Sequence, residues 1–132
     1  GFYVTSVREQ AERWAKRKAA LLGSDKAIIN VYEMKEKTEG LKVKSFAPDL
    51  MDWIDFVCEC RDGKTEYQKY DLIYGKVAND RVFRVVDMYH TGIWDKERAL
   101  KEIKVYPTYD QIAFITQEAI EKLLVFKSFQ EV

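Results

Sequence analysis

The chain is short of the residues that most single-domain chemistry depends on. It holds one histidine, His90, and two cysteines, Cys58 and Cys60. No four-ligand zinc set can be assembled from three such residues. One residue apart on a predicted helix, the two thiols point about 200° away from each other and cannot pair without unwinding it. Both are read as reduced and structural, which favours a cytoplasmic protein. Charge of one sign is also lacking. Lysine plus arginine equals aspartate plus glutamate at 22 each, without the basic excess of a general nucleic-acid binder. The run Arg13, Lys16, Arg17, Lys18 reads as a solvated helix face. No stretch reaches the roughly 20 apolar residues of a membrane span, and no secretory signal is visible. Nor does a glycine-rich loop follow any predicted strand, which excludes a P-loop and a dinucleotide fingerprint.

What is present is a well-patterned globular sequence. Of its 132 residues 47% are hydrophobic and 33% charged, sufficient for a single domain over residues 1–132 with one ordinary core. Aromatics reach 14%, consistent with aromatic-rich packing or an aromatic-lined cleft.

Gly1 to Thr5 reads as a short strand. Ser6 and Glu9 form an expected capping box for a helix carrying Val7, Ala11, Trp14, Ala15 and Leu22 at helical spacing, stopped by Gly23. Residues 27–34 are apolar on both faces, which predicts an interior strand. Residues 35–40 look like a hairpin loop leading into a half-exposed strand over 41–45. Pro48 and Asp49 open a second helix with Leu50, Trp53, Ile54, Val57 and Cys58 on one face, ended by Arg61-Asp62-Gly63. A strand over 70–77 is followed by a cap at Asn79 or Asp80. Residues 82–89 carry β-branched side chains, yet Val82, Phe83, Val86 and Tyr89 recur at helical spacing, and the helix is preferred. Residues 95–103 form a clearer helix with Ala99, Leu100 and Ile103 inward. After Pro107 come a strand over 111–116, a short helix over 117–122 and a last strand over 125–129. The irregular alternation gives an α+β class with mostly antiparallel sheet.

Candidate chemistry is sparse. His90 precedes Thr91-Gly92 and reads as a helix-end residue rather than a catalytic base. Asp49, Asp52 and Asp55 complement a helix dipole. Asn79-Asp80 reads first as a cap and Tyr70-Asp71 as a strand entry.

Three ordered segments go further. The strand Gly1-Phe2-Tyr3-Val4-Thr5, followed by Gln10-Ala11 and Trp14-Ala15, resembles the second core strand and following helix of the ADP-ribosyltransferase superfamily, in the branch related to diphtheria toxin and poly-ADP-ribose polymerases. With Tyr70-Asp71, Gly75-Lys76-Val77-Ala78-Asn79-Asp80 and Asp110-Gln111-Ile112-Ala113-Phe114-Ile115-Thr116, the chain is similar over nearly its whole length to a bacterial domain-of-unknown-function family, family 3990. That family is taken as a distant member of the same superfamily.

The resemblance implies an ADP-ribosyltransferase-like fold of split, mostly antiparallel sheets with flanking helices. It also implies a first strand, with a Tyr-His-Gly-type motif, that would lie before Gly1 and is missing here. NAD would be the co-substrate. Its nicotinamide would stack on Tyr3, with Gly1 and Thr5 completing the cofactor-binding strand, and Phe2 turned to the core. Gln111 stands where the superfamily commonly has a catalytic glutamate. Glutamine can bond a ribose hydroxyl but carries no charge to stabilise an oxocarbenium-like centre. The resemblance implies transfer of ADP-ribose to an unknown macromolecular or small-molecule acceptor, as in a toxin or effector, with a partner or inhibitor protein as a further expectation. Two other readings stay open: an inactive binding module of the same fold, and an unrelated α+β ligand or protein binder.

Overall fold

Strand β5 (Tyr109–Phe114) is the strand around which the molecule is organised. In the computed structural model, which describes residues 1–46, 50–77, 80–103 and 109–132, it lies between β1 (Phe2–Val4) and β4 (Leu72–Val77), antiparallel to both. Strand β3 (Val43–Ser45) adds to β4 in parallel and completes a four-stranded sheet in the order β1-β5-β4-β3. The strands β2 (Ile28–Met34) and β6 (Leu124–Glu131) pair antiparallel as a separate two-stranded sheet. Among the described residues five α-helices flank them: α1 (Arg8–Leu22), α2 (Leu50–Arg61), α3 (Asp80–His90), α4 (Lys96–Ile103) and α5 (Gln117–Leu123). The class is α+β, with one parallel pairing in an otherwise antiparallel set.

Side-chain alternation divides the core into two layers. On one face of the larger sheet, Ile73 and Ala113 pack with Trp53, Ile54 and Cys58 of α2, Val85 and Val86 of α3, and Ala99 and Ile103 of α4. On the other face, Leu72 and Phe114 pack with Ala119 and Leu123 of α5, and Met34 and Leu124 join them from the smaller sheet. Ile54, Leu72, Val86, Ile103 and Leu123 are completely shielded from solvent. Burying one such aliphatic side chain is worth about 1.5–3 kcal/mol. The apolar helical spacing of α2 and α4 thus does what the sequence indicates, and residues 82–89 are helical. There the gain from placing Val85 and Val86 in the core outweighs the modest helix penalty of β-branching.

Several expectations are corrected. The loop after β2 does not make a hairpin: β2 pairs with β6, and β3 pairs with β4 in the other sheet. Strand β2 is not interior. Ile28 is 48% exposed, and the strand's alternation changes phase where its register with β6 shifts, between Val31 and Tyr32. Its two apolar faces reflect a core contact at the Met34 end and a half-open groove along the rest. The helix begins later than the Ser6 cap predicts. Helix α1 starts at Arg8 with Val7 at the N-cap and no side-chain cap bond there, while Glu9 pairs with Arg13 at 2.7 Å. Phe2 is not core; it is part-exposed and meets Tyr32 edge-to-face at 5.7 Å. The helix start at Pro48-Asp49, the cap at Asn79 and the break at Pro107 fall outside the described residues, as do the side chains of Leu50, Asp80, Val82, Phe83 and Asp110. No helix among the described residues is long and apolar enough to cross a membrane.

Candidate functional site

The strand pairing decides which of the sequence-selected residues meet. Tyr3 stands directly opposite Ala113, so the two side chains share a face. Gln111, two residues along β5, shares it too. Tyr3 and Gln111 are therefore diagonal neighbours on adjacent strands, a separation of about 7 Å between backbones. Tyr3 is 54% exposed and Gln111 half-buried, so both reach solvent at one margin of the helix-covered face. On the other side of Gln111 its partner in β4 is Gly75. A Cβ at Gly75 would stand 3.4 Å from Cδ1 and Nε1 of Trp53, so the indole of α2 lies close against β4 at the partner of Gln111.

Gly1 and Thr5 sit at opposite ends of the same strand. A Cβ on Gly1 would lie 3.3 Å from the Phe114 carbonyl, a tight approach to the backbone of β5, and 3.7 Å from Cζ of Tyr3, an ordinary contact. Thr5 follows Val4, the partner of Ile112, and lies at the end of β1 nearest Gln111. Its Oγ1 accepts a bond from the Val7 amide at 3.1 Å, which shapes the turn into α1.

Tyr3 and Thr5 also border a groove of about 630 Å³ between β1, α1 and β2. Trp14, Ala11 and Ala15 of α1 form one wall, and Ile29, Val31 and Tyr32 of β2 contribute to the other. Arg8 and Lys18 are its cations. Gln111 is not among its lining residues. A second, shallower hollow of about 460 Å³ contains Asp52, Asp55, Glu59 and Glu66. Lys44 lies over its Phe46 ring at 5.2 Å, and Lys96 bonds Asp55 at 2.6 Å, so the chain's own lysines offset part of its charge. Among the described residues no three His, Cys, Asp or Glu side chains gather to hold a metal.

The remaining polar candidates hold the scaffold. Asp71 accepts from the Lys42 amide at 2.8 Å and from the Thr116 hydroxyl at 2.7 Å. Thr116 in turn caps α5 by accepting from Ala119 N. The Lys42 amide, and after it Thr116, holds the Asp71 carboxyl below the usual carboxylate range. Asp55 joins three helices, with Tyr89 Oη donating at 2.7 Å and Lys96 Nζ at 2.6 Å. Burial pushes its carboxyl up, but these two bonds outweigh that and leave it below the usual range. His90 closes α3 against Asp62 at 2.7 Å, next to an Arg61–Asp87 pair, as a helix-end residue would. The two cysteines are unpaired. Cys58 is buried, and that burial pushes its thiol up, away from reactivity. Asp71 and Asp55 were not singled out by sequence as cross-links; the one readable signal was Thr116 ahead of a short helix, an N-cap pattern.

No curated protein and no solved structure matches the chain. A family model described as a protein of unknown function, DUF3990, matches residues 1–126. That span contains the Gly1 strand, the segment from Tyr70 to Asp80 and the strand through Gln111, and the chain belongs to this family.

Proposed function

We propose that the chain is an ADP-ribosyltransferase-like domain that binds NAD by its nicotinamide end, at Tyr3 and Gln111, and passes ADP-ribose to an acceptor. One observation carries this reading. Tyr3 and Gln111, at opposite ends of the sequence, stand as diagonal neighbours on one face of paired strands, and both are open to solvent. An exposed tyrosine ring is a platform for a flat, partly apolar heterocycle. A glutamine amide beside it can bond a ribose hydroxyl. In the reaction the C1′–N bond breaks with its electron pair leaving on nicotinamide. The acceptor's nucleophile then bonds to C1′ and releases its proton. The transition state carries positive charge at C1′, and a neutral amide at position 111 supplies little stabilisation for it.

That same residue favours a second reading, a binding module of the same architecture without turnover. Saturation-transfer NMR with NAD tests the common ground. Transfer to the nicotinamide ring that Tyr3→Ala removes is the expected result. No transfer to the ring in the parent protein, or transfer untouched by Tyr3→Ala, would reject the nicotinamide site. Labelling of an acceptor, or NAD hydrolysis abolished by Tyr3→Ala, then separates the transferase from the inactive module.

A further inference from the structure

The sheet face that carries Gln111 holds a hydrogen-bond donor that the fold leaves unused. Helix α2 places Trp53 on the same apolar stripe as Ile54 and Cys58, and its side chain is 6% exposed. Cδ1 and Nε1, the polar edge of the indole, are the atoms that approach Gly75, each 3.4 Å from where a Cβ would stand. Gly75 is the β4 partner of Gln111, and the Cβ positions of directly opposite residues lie about 4.5–5.5 Å apart. The polar edge of the indole therefore lies within a side-chain length of the Gln111 amide.

An indole nitrogen only donates, and in a buried tryptophan its N–H ordinarily finds an acceptor. Among the described residues nothing accepts from the Trp53 N–H, and nothing bonds the side-chain amide of Gln111. No side-chain polar atom among them is both fully buried and unbonded, so this N–H keeps a path to solvent while its ring is packed in the core. The place is interior to the sheet. In the order β1-β5-β4-β3, both β5 and β4 are paired on each edge within this chain. A further strand joining the sheet at either end would lie in its plane and leave this face as it is. Across the sheet the order is Tyr3, then Gln111, then Gly75 with Trp53 over it. Two strand spacings, about 10 Å, separate the tyrosine's strand from the indole's. A nicotinamide ring stacked on Tyr3 takes up the first spacing, and the ribose it carries reaches into the second.

We propose that Trp53 is a ribose-binding residue of the Tyr3–Gln111 site: its indole N–H donates to one hydroxyl of the nicotinamide-bearing ribose while the Gln111 amide holds the neighbouring hydroxyl. The inference rests on the reading of Tyr3 and Gln111 as a nicotinamide site. A vicinal diol presents two oxygens side by side, which suits one group that only donates next to an amide that donates and accepts. An ammonium or guanidinium brings donors alone and would leave the indole N–H unmatched. The consequence is specificity, because a site built to bond a hydroxyl rejects the analogue that lacks it. Trp53 thus makes the site prefer nicotinamide carried on an intact ribose to free nicotinamide.

NMR titration of the nitrogen-labelled protein with nicotinamide riboside, its 2′-deoxy and 3′-deoxy analogues, and nicotinamide tests this. The indole N–H resonance that Trp53→Phe removes should move with the riboside and stay in place with nicotinamide. Replacement of Trp53 by benzothienylalanine keeps the ring size and exchanges the N–H for a sulfur, so the core stays filled. It should weaken riboside binding about five-fold, the worth of one neutral hydrogen bond, and leave nicotinamide binding unchanged. Each deoxy analogue should bind the parent protein more weakly than the riboside does, and in the benzothienyl variant one of the two should match it. Riboside binding that Tyr3→Ala removes, with the Trp53 resonance unmoved and the benzothienyl variant equal to the parent, overturns the role of Trp53 and leaves the nicotinamide site standing. Absence of binding by both riboside and nicotinamide overturns the two together. A Trp53 resonance that moves equally with every ligand marks a shift of α2 instead of a bond, and overturns the proposal as well.

Discussion

Replacing Asp71 with alanine should loosen three elements at once, because its carboxylate fastens the chain ahead of β3, the entry of β4 and the cap of α5. Two bonds disappear, from the Lys42 amide at 2.8 Å and the Thr116 hydroxyl at 2.7 Å. Fully buried bonds to a charged group would each be worth about 1.5–3 kcal/mol. This carboxylate is reached by solvent, and screening reduces each to about 0.5–1 kcal/mol, or about 1–2 kcal/mol together. A domain of 132 residues unfolds with an entropy of about 0.28 kcal/mol/K, so Tm should fall by about 4–7 °C. The pH dependence has a definite sign. The folded Asp71 carboxyl sits below its ordinary value, so its contribution is present above the unfolded pKa, about 3.9, and is lost as pH falls through the folded one. The variant's deficit should be full near neutrality and shrink in acid. Thermal unfolding followed by circular dichroism at both pH values reads this directly. A Tm within about 1 °C of the parent, or a deficit of equal size in acid, would refute the clamp.

Other outcomes follow from the same geometry. Ile54→Ala, at a position with no solvent exposure, should cost about 2–5 kcal/mol in urea unfolding, whereas Leu22→Ser, 73% exposed, should stay within about 0.5 kcal/mol. The bond to Asp55 raises the Tyr89 phenol above its ordinary value, so Asp55→Asn should bring the Tyr89 titration back down, as followed by near-ultraviolet absorbance. Gln111→Glu places a carboxylate beside Tyr3 and, on the proposed function, should raise NAD hydrolysis at least ten-fold if position 111 contacts the reacting ribose. An unchanged rate would place the chemistry elsewhere.

The local order of elements was legible because it is written in short-range patterns. Trp53, Ile54 and Cys58 recur at helical spacing and all enter the core, and Gly23 ends α1 in the left-handed conformation at φ 65 that its missing Cβ permits. The sheet partners were not legible. A polar loop after β2 looks the same whether the next strand returns to it or crosses to another sheet, and only packing sends β3 to β4. Strand β2 misled because apolar residues on both faces serve an open groove as well as an interior. For the candidate site, only the resemblance points to Tyr3, and its proximity to Gln111 comes from the β1–β5 pairing, a long-range contact that no periodicity encodes. Asp55 and Asp71 were hidden for a related reason: their partners Lys96 and Thr116 lie far along the chain.

The tryptophan beside Gly75 gives the molecule a built-in optical reporter. The indole of Trp53 lies close to Gly75, the partner of Gln111, and is 6% exposed, while Trp14 faces the groove and Trp94 carries Arg98 over its ring at 4.8 Å. The three tryptophans thus sit in three different environments. With Trp14 and Trp94 replaced by phenylalanine, the emission of Trp53 alone would register any shift of α2 against the sheet at position 111, with no label attached. With Trp53 replaced instead, Trp14 would register occupancy of the groove, so events on either side of β1 can be followed separately in one fluorimeter.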